Sequence, residues 1–496
     1  MKILLIYPEF PNTFWSFKYA LRFIGKKASF PPLGLLTVSA MLPAAWEKRL
    51  VDLNADKLRA ADLEWADFAF VSGMMVQRKS AIETIRRCRK AGLTIVGGGP
   101  MFAEDDPDFS EVDHFVLNEA EVTLPPFLAD LQAGRPQRVY KSEEHPGLEN
   151  TPVPDWGLLK LKRYASMCIQ YSRGCPHNCD FCNVTALLGR RVRTKETRQI
   201  IAELDALYAH GWDDDVFFVD DNFIGNRSRL KKDLLPAMIE WARNKEPVNF
   251  HTEASIEIAD DPELMRLMVE AGFDRVFIGI ETTDEDSLAE CSKNQNERRD
   301  LAADVKKIQQ AGLQVQAGFI VGFDHDKPSV FERQIEFIQK TGIVTAMVGM
   351  LQAPPGTTLY QRMKDCGRLR GSSSGDNVDG TTNIVPVMGL ENLQKGYLDI
   401  LRHIYAPKNY YSRVKTFLKE YRSLAPFQAP RPRIRARHLV ALARSMMRLG
   451  VLGRERAHFW KLLLWTQLRR PRLLALSVTL AIYGYHFRKV CQHHVQ

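Results

Sequence analysis

The stretch of sequence that decides the fold is Tyr171-Ser-Arg-Gly-Cys-Pro-His-Asn-Cys-Asp-Phe-Cys182. Cys175, Cys179 and Cys182 form a C-x3-C-x2-C triad in one short loop, after a strand-like run at 165–171. Three thiolates at this spacing hold three irons of a [4Fe–4S] cube, and the loop offers no fourth cysteine. The fourth iron is then open to the amino and carboxylate groups of S-adenosylmethionine (SAM), to which the cluster passes an electron.

Two other interpretations of the triad are a structural zinc site and three unliganded cysteines. A structural zinc normally has four ligands in paired C-x2-C units. His177 is the candidate for a fourth ligand, but it lies between the cysteines in a tight loop. Because compact cysteine clusters in intracellular chains usually bind metal, the iron–sulfur interpretation is favoured. The motif resembles that of the radical SAM superfamily and is among its most specific signals.

The composition is that of an ordinary globular protein. The chain has 496 residues, 45% hydrophobic and 26% charged, a length typical of about three domains. It begins as a strand, without the cleavage region of a signal peptide. The cysteines outside the triad are scattered without pairing, which indicates a reducing, cytoplasmic location. Their roles stay open: Cys88, Cys168, Cys291, Cys366 and Cys491.

Residues 1–140 alternate strand-like and helix-like runs, which predicts an open parallel sheet with ligands at the carboxyl ends of its strands. No G-x-G-x-x-G follows the first strand, so an ordinary dinucleotide site is not expected. The predicted strands are Lys2–Tyr7, Arg49–Asp52, Phe68–Ser72, Thr94–Val96 and Asp113–Leu117. The strand ends supply candidate cofactor contacts at Ser72, Gly73, Gln77, Gly97, Gly98, Gly99 and Glu119. Taken alone, the segment would be an α/β domain that packs on its neighbour.

Residues 141–157 are polar and proline-rich and are interpreted as a linker. Over residues 158–365, six strands with intervening helices predict a partial parallel barrel, with its site on the carboxyl-end loops. The predicted strands are Met167–Tyr171, Asp215–Val219, Val248–Glu253, Arg275–Glu281, Gln314–Val321 and Ala346–Leu351. Carboxylates and amides at the strand ends suit a zwitterionic nucleoside, and glycines make room for adenine. The candidate SAM contacts are Asp220, Asp221, Asn222, Glu253, Ser255, Glu281, Gly318 and Gly322.

The C-terminal region is predicted to be helical, with a substrate-side cap at 366–430 and a basic amphipathic tail at 431–496. The tail carries 14 Lys and Arg against one acid, Glu455, and so accounts for the whole net charge of +9. Its apolar run Leu473–Phe487 falls short of the ~20 residues that span a bilayer. Arginine with Trp and Leu at amphipathic spacing favours a helix lying on an anionic membrane surface. A solvated helical face and an RNA-contacting tail are the alternatives.

The chain resembles radical SAM enzymes with an N-terminal cobalamin-binding domain, and its 30–36 and 70–78 stretches look most like the hopanoid methylase branch. The resemblance implies an α/β fold: a Rossmann-like cobalamin-binding-type domain, a partial (β/α)6 radical SAM barrel and a helical C-terminal region. It also implies a [4Fe–4S] cluster, SAM, cobalamin and a flavodoxin- or ferredoxin-type electron donor. A 5′-deoxyadenosyl radical would abstract hydrogen from an unactivated carbon, and methylcobalamin would donate the methyl group to that carbon. A membrane lipid is the hypothetical substrate. The Asp-x-His-x-x-Gly motif, whose histidine ligates cobalt in other cobalamin proteins, is absent.

Three rival functions remain open at this stage. The first is radical carbon–carbon coupling or oxidative cyclisation of a lipid-like substrate without cobalamin. The second is tRNA methylthiolation, which the sequence disfavours because such enzymes carry three further cluster cysteines where this chain has only Cys88. The third is a cobalamin-binding sensor, which would have no use for the triad. The sequence therefore argues against nucleic acid as a partner and leaves the oligomeric state undetermined.

Overall fold

The computed structural model describes residues 1–494 apart from residues 244, 377 and 423–435. The first sheet is parallel and has the strand order β2-β1-β3-β4-β5-β6, so the order reverses between β1 and β3. In open α/β sheets such a switch point, at the carboxyl edge, is where ligands bind. The strands are β1 (Lys2–Tyr7), β2 (Glu47–Asp52), β3 (Phe68–Ser72), β4 (Thr94–Gly98), β5 (His114–Val116) and β6 (Val139–Tyr140).

Both faces of this sheet are covered. In β1, Leu4 and Ile6 face one apolar core, whereas Ile3 and Leu5 face another. A continuous apolar run is therefore needed, because alternate side chains enter opposite cores. The helices of this part are α1 (Lys18–Ile24), α2 (Leu33–Met41), α3 (Ala60–Trp65), α4 (Arg78–Lys90) and α5 (Ala120–Gln132).

The second sheet is also parallel, and its strands follow one another in chain order, which is the arrangement of a partial barrel. A small antiparallel pair, β8 with β9, brackets the cysteine loop. The strands are β7 (Met167–Ile169), β8 (Ser172–Arg173), β9 (Arg193–Thr194), β10 (Val216–Phe218), β11 (Phe250–Ala254), β12 (Phe273–Glu281), β13 (Gln314–Val321) and β14 (Ala346–Met350). The helices between and after them are α6 (Val184–Leu188), α7 (Thr197–Ala209), α8 (Arg227–Arg229), α9 (Leu235–Ala242), α10 (Pro262–Glu270), α11 (Glu285–Glu290), α12 (Leu301–Gln310), α13 (Val330–Thr341) and α14 (Thr358–Asp365).

The C-terminal region is helical, as predicted, and the predicted α/β fold class is confirmed. Its helices are α15 (Leu390–Tyr405), α16 (Pro407–Glu420), α17 (Ala436–Ser445), α18 (Arg456–Arg469) and α19 (Leu474–His494). The aromatic residues of α15 and α16 are buried in the barrel's core rather than facing a pocket. The sequence also predicts a proline-rich break at 425–433, and this segment lies outside the described residues.

Within the tail predicted to lie on a membrane surface, the apolar run Leu473–Phe487 is largely buried in the protein. This run lies in α19, whose apolar side chains join the main core. The Phe487 ring stacks on Phe14 at 4.0 Å between centroids, and His486 Nε2 lies 2.9 Å from the Phe14 carbonyl. The apolar run is thus explained by packing against the N-terminal segment. Among the described helices, none is long and apolar enough to cross a membrane.

Candidate active site

The entry to the cysteine loop is held by Asp220, which follows β10. Its Oδ2 accepts a hydrogen bond from the Tyr171 amide at 3.0 Å, and its Oδ1 accepts from the Ser172 hydroxyl at 2.6 Å and from the Ser172 amide. The side chain is fully buried, and burial raises its pKa to about 7. Asp220 therefore positions the loop. Both of its carboxylate oxygens are engaged by the protein, so the geometry does not support the predicted direct contact with SAM.

The triad itself lies in a loop fixed by backbone hydrogen bonds. The Cys175 amide donates to the Gly189 carbonyl at 3.3 Å, and the Cys182 amide donates to the Cys179 carbonyl at 3.0 Å. Gly174 has φ +90°, and a Cβ there would lie 2.6 Å from the Arg191 carbonyl, so glycine is required before Cys175. The three thiols are half-buried and form no disulfide.

The chemistry of the donor set fits an iron–sulfur cluster. Burial raises the pKa of Cys182 to about 12 and also raises that of Cys175, so metal binding would have to displace thiol protons. Among the described residues, no three His, Cys, Asp or Glu side chains are grouped around a point that would hold one metal ion. A [4Fe–4S] cube has no such requirement, because each thiolate binds a different iron.

A buried cation lies beside the triad and was not predicted. Lys293 Nζ is 2.8 Å from Glu281 Oε1, and both side chains are nearly buried. Burial alone would lower the pKa of Lys293, but Glu281 and Cys179 raise it, so the ammonium stays charged. Gln295 Nε2 lies 3.6 Å from Cys179 Sγ. Both residues follow β12 in a segment without sequence periodicity, so no pattern could have found them.

Three of the predicted carboxylates come together near the loop. Glu253 lies near Asp221 and Glu281. Burial and the negative charges of Asp221, Asp220 and Glu281 raise the pKa of Glu253 to about 8. Burial raises the pKa of Asp221 to about 6. Within the described part of the chain, no side chain donates a hydrogen bond to Asp221 or Glu253. Carboxylates that lack a protein donor are suited to accept from an ammonium or from ribose hydroxyls.

Asn222 and Ser255 instead connect the barrel to the loop. The Ser255 amide donates to Asn222 Oδ1 at 3.1 Å, and the Ser255 hydroxyl donates to Glu257 Oε2 at 3.0 Å. The same carboxylate oxygen lies 3.2 Å from His177 Nε2. His177 is therefore paired with Glu257, which does not support it as a zinc ligand.

The two predicted barrel glycines have different surroundings. A Cβ on Gly318 would lie 3.1 Å from the Phe277 ring and 3.8 Å from Glu281 Oε2, so this glycine leaves room beside the carboxylate group. Gly322 has φ +106° and packs on Leu393, while its amide donates to Asp326 Oδ2 at 2.8 Å. Gly322 serves a structural turn, and its contact with a cofactor stays a prediction.

In the N-terminal sheet, most of the predicted contacts are explained by packing. Gln77 is buried and donates to the Pro8 carbonyl at 2.5 Å, tying the end of β1 to the loop after β3. A Cβ on Gly98 would lie 2.8 Å from the Val116 carbonyl, and one on Gly97 would lie 3.0 Å from the Phe102 ring. A Cβ on Gly99, where φ is +90°, would lie 2.6 Å from Ser72 Oγ.

The switch point nevertheless keeps groups that are free to bind a ligand. Ser72 is half-buried at the end of β3, and its hydroxyl has no hydrogen bond to another described residue. Gly73 follows it, and Met74 is 53% exposed. Gly73 itself is buried, and a Cβ there would lie 3.1 Å from Gln77 Oε1. A hydroxyl and an exposed thioether side chain at a carboxyl edge suit a large, partly apolar ligand with amide groups.

Glu119 does not face this switch point. It accepts hydrogen bonds from Arg173 at 2.8 Å and from Arg193 at 2.7 Å, and Glu121 binds Arg173 at 2.9 Å. Arg173 lies two residues before Cys175, so these ion pairs join the loop after β5 to the cysteine loop. The Glu119 carboxylate is engaged by two guanidinium groups, and its binding of a cofactor stays a prediction.

Loops at the carboxyl ends of the two parallel sheets are therefore in contact. The ion pairs of Glu119 form one link between them. A second link is the loop around Gly375, after the barrel, where a Cβ would lie 2.9 Å from Met75 beyond β3. The switch point and the cysteine loop therefore adjoin a shared interface.

This fold and triad agree with comparisons to known proteins. The radical SAM superfamily model matches residues 169–338, and a domain of unknown function (DUF4070) matches residues 357–496. OxsB, a cobalamin-dependent SAM radical enzyme, has a similar fold, with a TM-score of 0.62 and 13% identity over 100% of this chain and 79% of its own. The radical SAM methyltransferase TsrM from Kitasatospora setae gives 0.57 and 15% identity over 75% and 79%.

Two relatives are similar over nearly the whole chain. An uncharacterized methyltransferase of Synechocystis sp. is 41% identical over 98% of this chain and 91% of its own length. The hopanoid C-2 methylase of Rhodopseudomonas palustris is 32% identical over 93% and 88%. The chain therefore belongs to the radical SAM methyltransferases, in the family that includes hopanoid C-2 methylase. It is an enzyme, with a [4Fe–4S] cluster and SAM as cofactors.

Proposed function

We propose that this enzyme methylates an unactivated carbon of a membrane lipid in a cobalamin-dependent reaction, at the inner face of the membrane. The observation that carries the proposal is the apposition of the two carboxyl edges. The barrel presents the cysteine loop, the N-terminal sheet presents its switch point, and the ion pairs of Glu119 with Arg173 and Arg193 join them. A substrate between the two edges would reach groups from both.

On the barrel side, Cys175, Cys179 and Cys182 would hold the cluster, and Asp221, Glu253 and Glu281 would bind SAM. When bound, the cluster supplies the electron that cleaves SAM. The chain's own part is positional and electrostatic. Asp220 holds the loop entry, and the charged Lys293 offsets negative charge beside the thiolates. The raised pKa of Glu253 lets this side chain change protonation when a cationic ligand arrives.

On the side of the N-terminal sheet, Ser72, Gly73 and Met74 would contact cobalamin at the switch point. When bound, cobalamin supplies the methyl group that reaches the substrate carbon. The structural relatives OxsB and TsrM were solved with cobalamin bound, and this supports the same cofactor here. A flavodoxin- or ferredoxin-type protein is the proposed electron donor.

The lipid substrate is supported by the relative named for hopanoids and by the exposed apolar side chains of α17 and α18. The proposal is tested with anaerobically prepared holoenzyme, deuterated SAM (CD3) and bacterial lipid extract, analysed by mass spectrometry. We expect a lipid that gains a CD3 group only when cobalamin is present. Cluster-dependent SAM cleavage with a new carbon–carbon bond or ring, and no cobalt requirement, would instead identify the coupling or cyclisation enzyme.

A further inference from the structure

Helix α17 turns its apolar side chains outward. Its arginines contact protein: Arg444 Nη1 donates to the Arg22 and Phe23 carbonyls at 3.1 and 3.2 Å, and Arg437 pairs with Asp214 at 2.9 Å. Arg448, in the turn that follows, donates to the Tyr485 hydroxyl at 3.0 Å. Arg444 and Arg448 stay exposed beside these contacts, so this part of the chain presents apolar side chains and arginines to solvent together. A solvated helix of a globular protein would instead keep its apolar side chains inside.

Helix α18 continues this exposed apolar surface. Trp460, Leu464 and Leu468 are spaced four residues apart and share its outer face, with exposures of 43%, 63% and 72%. Phe459 and Leu462 fill its buried face. The Trp460 indole N–H donates to the Gly450 carbonyl at 2.9 Å. This bond ties α18 to the turn that follows α17, and residues 439–468 together form a helical hairpin.

The exposed apolar side chains of the enzyme are concentrated here. Of eighteen large apolar residues with high exposure among the described residues, ten lie between 439 and 468. A concentration of exposed apolar side chains of this kind marks a site of interaction with a protein or a membrane. The ten are Leu439, Val440, Leu442, Met446, Met447, Val451, Leu452, Trp460, Leu464 and Leu468.

The charge around this hairpin is positive and largely unpaired. In residues 436–494 the acid is Glu455, which is buried against Arg488. Within the described part of the chain, the exposed cations of the hairpin and of the turn after α18 form no ion pair. These cations are Arg454, Arg456, Lys461, Arg469 and Arg472. Apolar side chains mixed with free cations match the acyl boundary and headgroups of an anionic leaflet.

A basic cavity adjoins the same helices. It has a volume of about 400 Å³ and includes Gly25, whose Cβ position lies 3.5 Å from Arg444 of α17. Asp56 is its acidic residue and pairs with Arg163 at 2.8 Å. The cations that line it are Lys27, Lys57, Arg59, Lys162 and Arg163. The positive charge therefore extends from the hairpin onto the neighbouring surface, which favours negatively charged lipid over neutral lipid.

We infer that the outer face of α17–α18, residues 439–468, docks on an anionic lipid bilayer. This inference rests on the proposed function for the lipid substrate. It adds the surface by which the enzyme reaches that lipid. Leucine and tryptophan would enter the acyl boundary, while Lys461 and Arg469 would meet the headgroups. Binding through one amphipathic surface of this kind is peripheral and reversible.

The test is co-flotation of the full-length holoenzyme with vesicles of phosphatidylcholine, alone or mixed with phosphatidylglycerol. We expect preferential binding to the anionic vesicles, and a roughly tenfold or greater loss in L464E/L468E, which places two charges in the apolar boundary. The matched control is Val387→Glu, at an apolar residue that is 65% exposed and outside the hairpin. K461E/R469E should reduce the preference for anionic vesicles more than the remaining binding to neutral ones.

Two further measurements make the outcome decisive. Iron content and circular dichroism verify that each variant is folded and loaded. Methylation of detergent-dispersed lipid should be the same in L464E/L468E as in the wild type, because this assay needs no docking on a bilayer. If the wild type itself does not methylate dispersed lipid, that result counts against the proposed function and not against the docking surface. Unchanged vesicle binding in L464E/L468E would overturn the inference. So would sedimentation showing that this face instead joins two copies of the chain, with no binding to vesicles.

Discussion

Asp220 accepts hydrogen bonds that hold the entry of the cysteine loop, whereas the neighbouring Asp221 receives none from a described side chain. Replacing each of them with asparagine therefore distinguishes positioning of the loop from binding of a ligand. Asp220 accepts from the Tyr171 and Ser172 amides and from the Ser172 hydroxyl. In Asp220→Asn, an NH2 group replaces one acceptor oxygen. At least one buried donor is then unsatisfied, and the remaining bonds lose their charge. These losses destabilise the loop entry by about 3 kcal/mol, or more than a hundredfold in its opening equilibrium.

The assay is hydrogen–deuterium exchange of the metal-free protein at pH 8, above the pKa of about 7 for Asp220. The amides of Tyr171 and Ser172 should exchange roughly a hundredfold faster in Asp220→Asn. Anaerobic reconstitution should yield less iron per chain. Because no described side chain donates to Asp221, Asp221→Asn should keep loop protection and iron content but weaken SAM binding. Equal protection of Tyr171 and Ser172 in the two variants would refute the positioning role of Asp220.

Three further predictions concern charges. Lys293→Met removes the cation beside Cys179, so the midpoint potential of the cluster, measured by EPR titration, should fall, whereas Lys293→Arg should retain it; equal potentials would contradict this. Glu119→Gln leaves two nearly buried guanidinium groups poorly paired, so chemical denaturation should show a free energy of unfolding lower by about 3 kcal/mol. The exposed control Glu104→Gln should lower it by less than about 0.5 kcal/mol. Equal losses in the two variants would contradict the role of the Glu119 ion pairs. The folded-state pKa of Glu253 is raised to about 8, so its contribution to folding stability is full below about pH 4.5 and is lost as the pH rises to 8. Glu253→Gln should flatten this dependence in urea titrations from pH 5 to 8, and an unchanged slope would refute the shift.

The fold could be predicted from the sequence because its strands are buried on both faces. Ile3-Leu4-Leu5-Ile6 must be apolar throughout, and the predicted bounds of β1, β3 and β13 equal the observed ones. Strand-end reasoning also located the Asp221, Glu253 and Glu281 group. Parallel strands bring their carboxyl ends to one edge, so residues distant in sequence meet there.

Side-chain direction and pairing were beyond the sequence. Asp220 and Asp221 are chemically identical neighbours, yet one points into the loop entry and the other has no described donor. Glu119 follows a strand like the other candidates, but Arg193, 74 residues away, engages it. Such long-range ion pairs leave no periodic signal.

The C-terminal helices show the same limit on a larger scale. The sequence indicated an amphipathic α17 with an arginine face and an apolar face, but not which face meets the protein. Arg444 donates to the carbonyls at the end of α1, so the arginine face contacts the protein while remaining partly exposed, and Leu439 and Leu442 are exposed. The apolar α19 is covered by the N-terminal segment around Phe14. Tertiary partners, rather than helical periodicity, decide which face is exposed.

The central claim is that one chain holds a cluster at the cysteine loop and cobalamin at the opposite sheet edge. The most direct test is the iron, sulfide and cobalt content of protein expressed anaerobically with cobalamin, with Cys175→Ala as the control. About four irons and one cobalt per chain are expected in the wild type. Cys175→Ala should lose iron and keep cobalt, because the two cofactors bind different sheets. Absence of cobalt from the wild type, or retention of all iron by Cys175→Ala, would contradict the account.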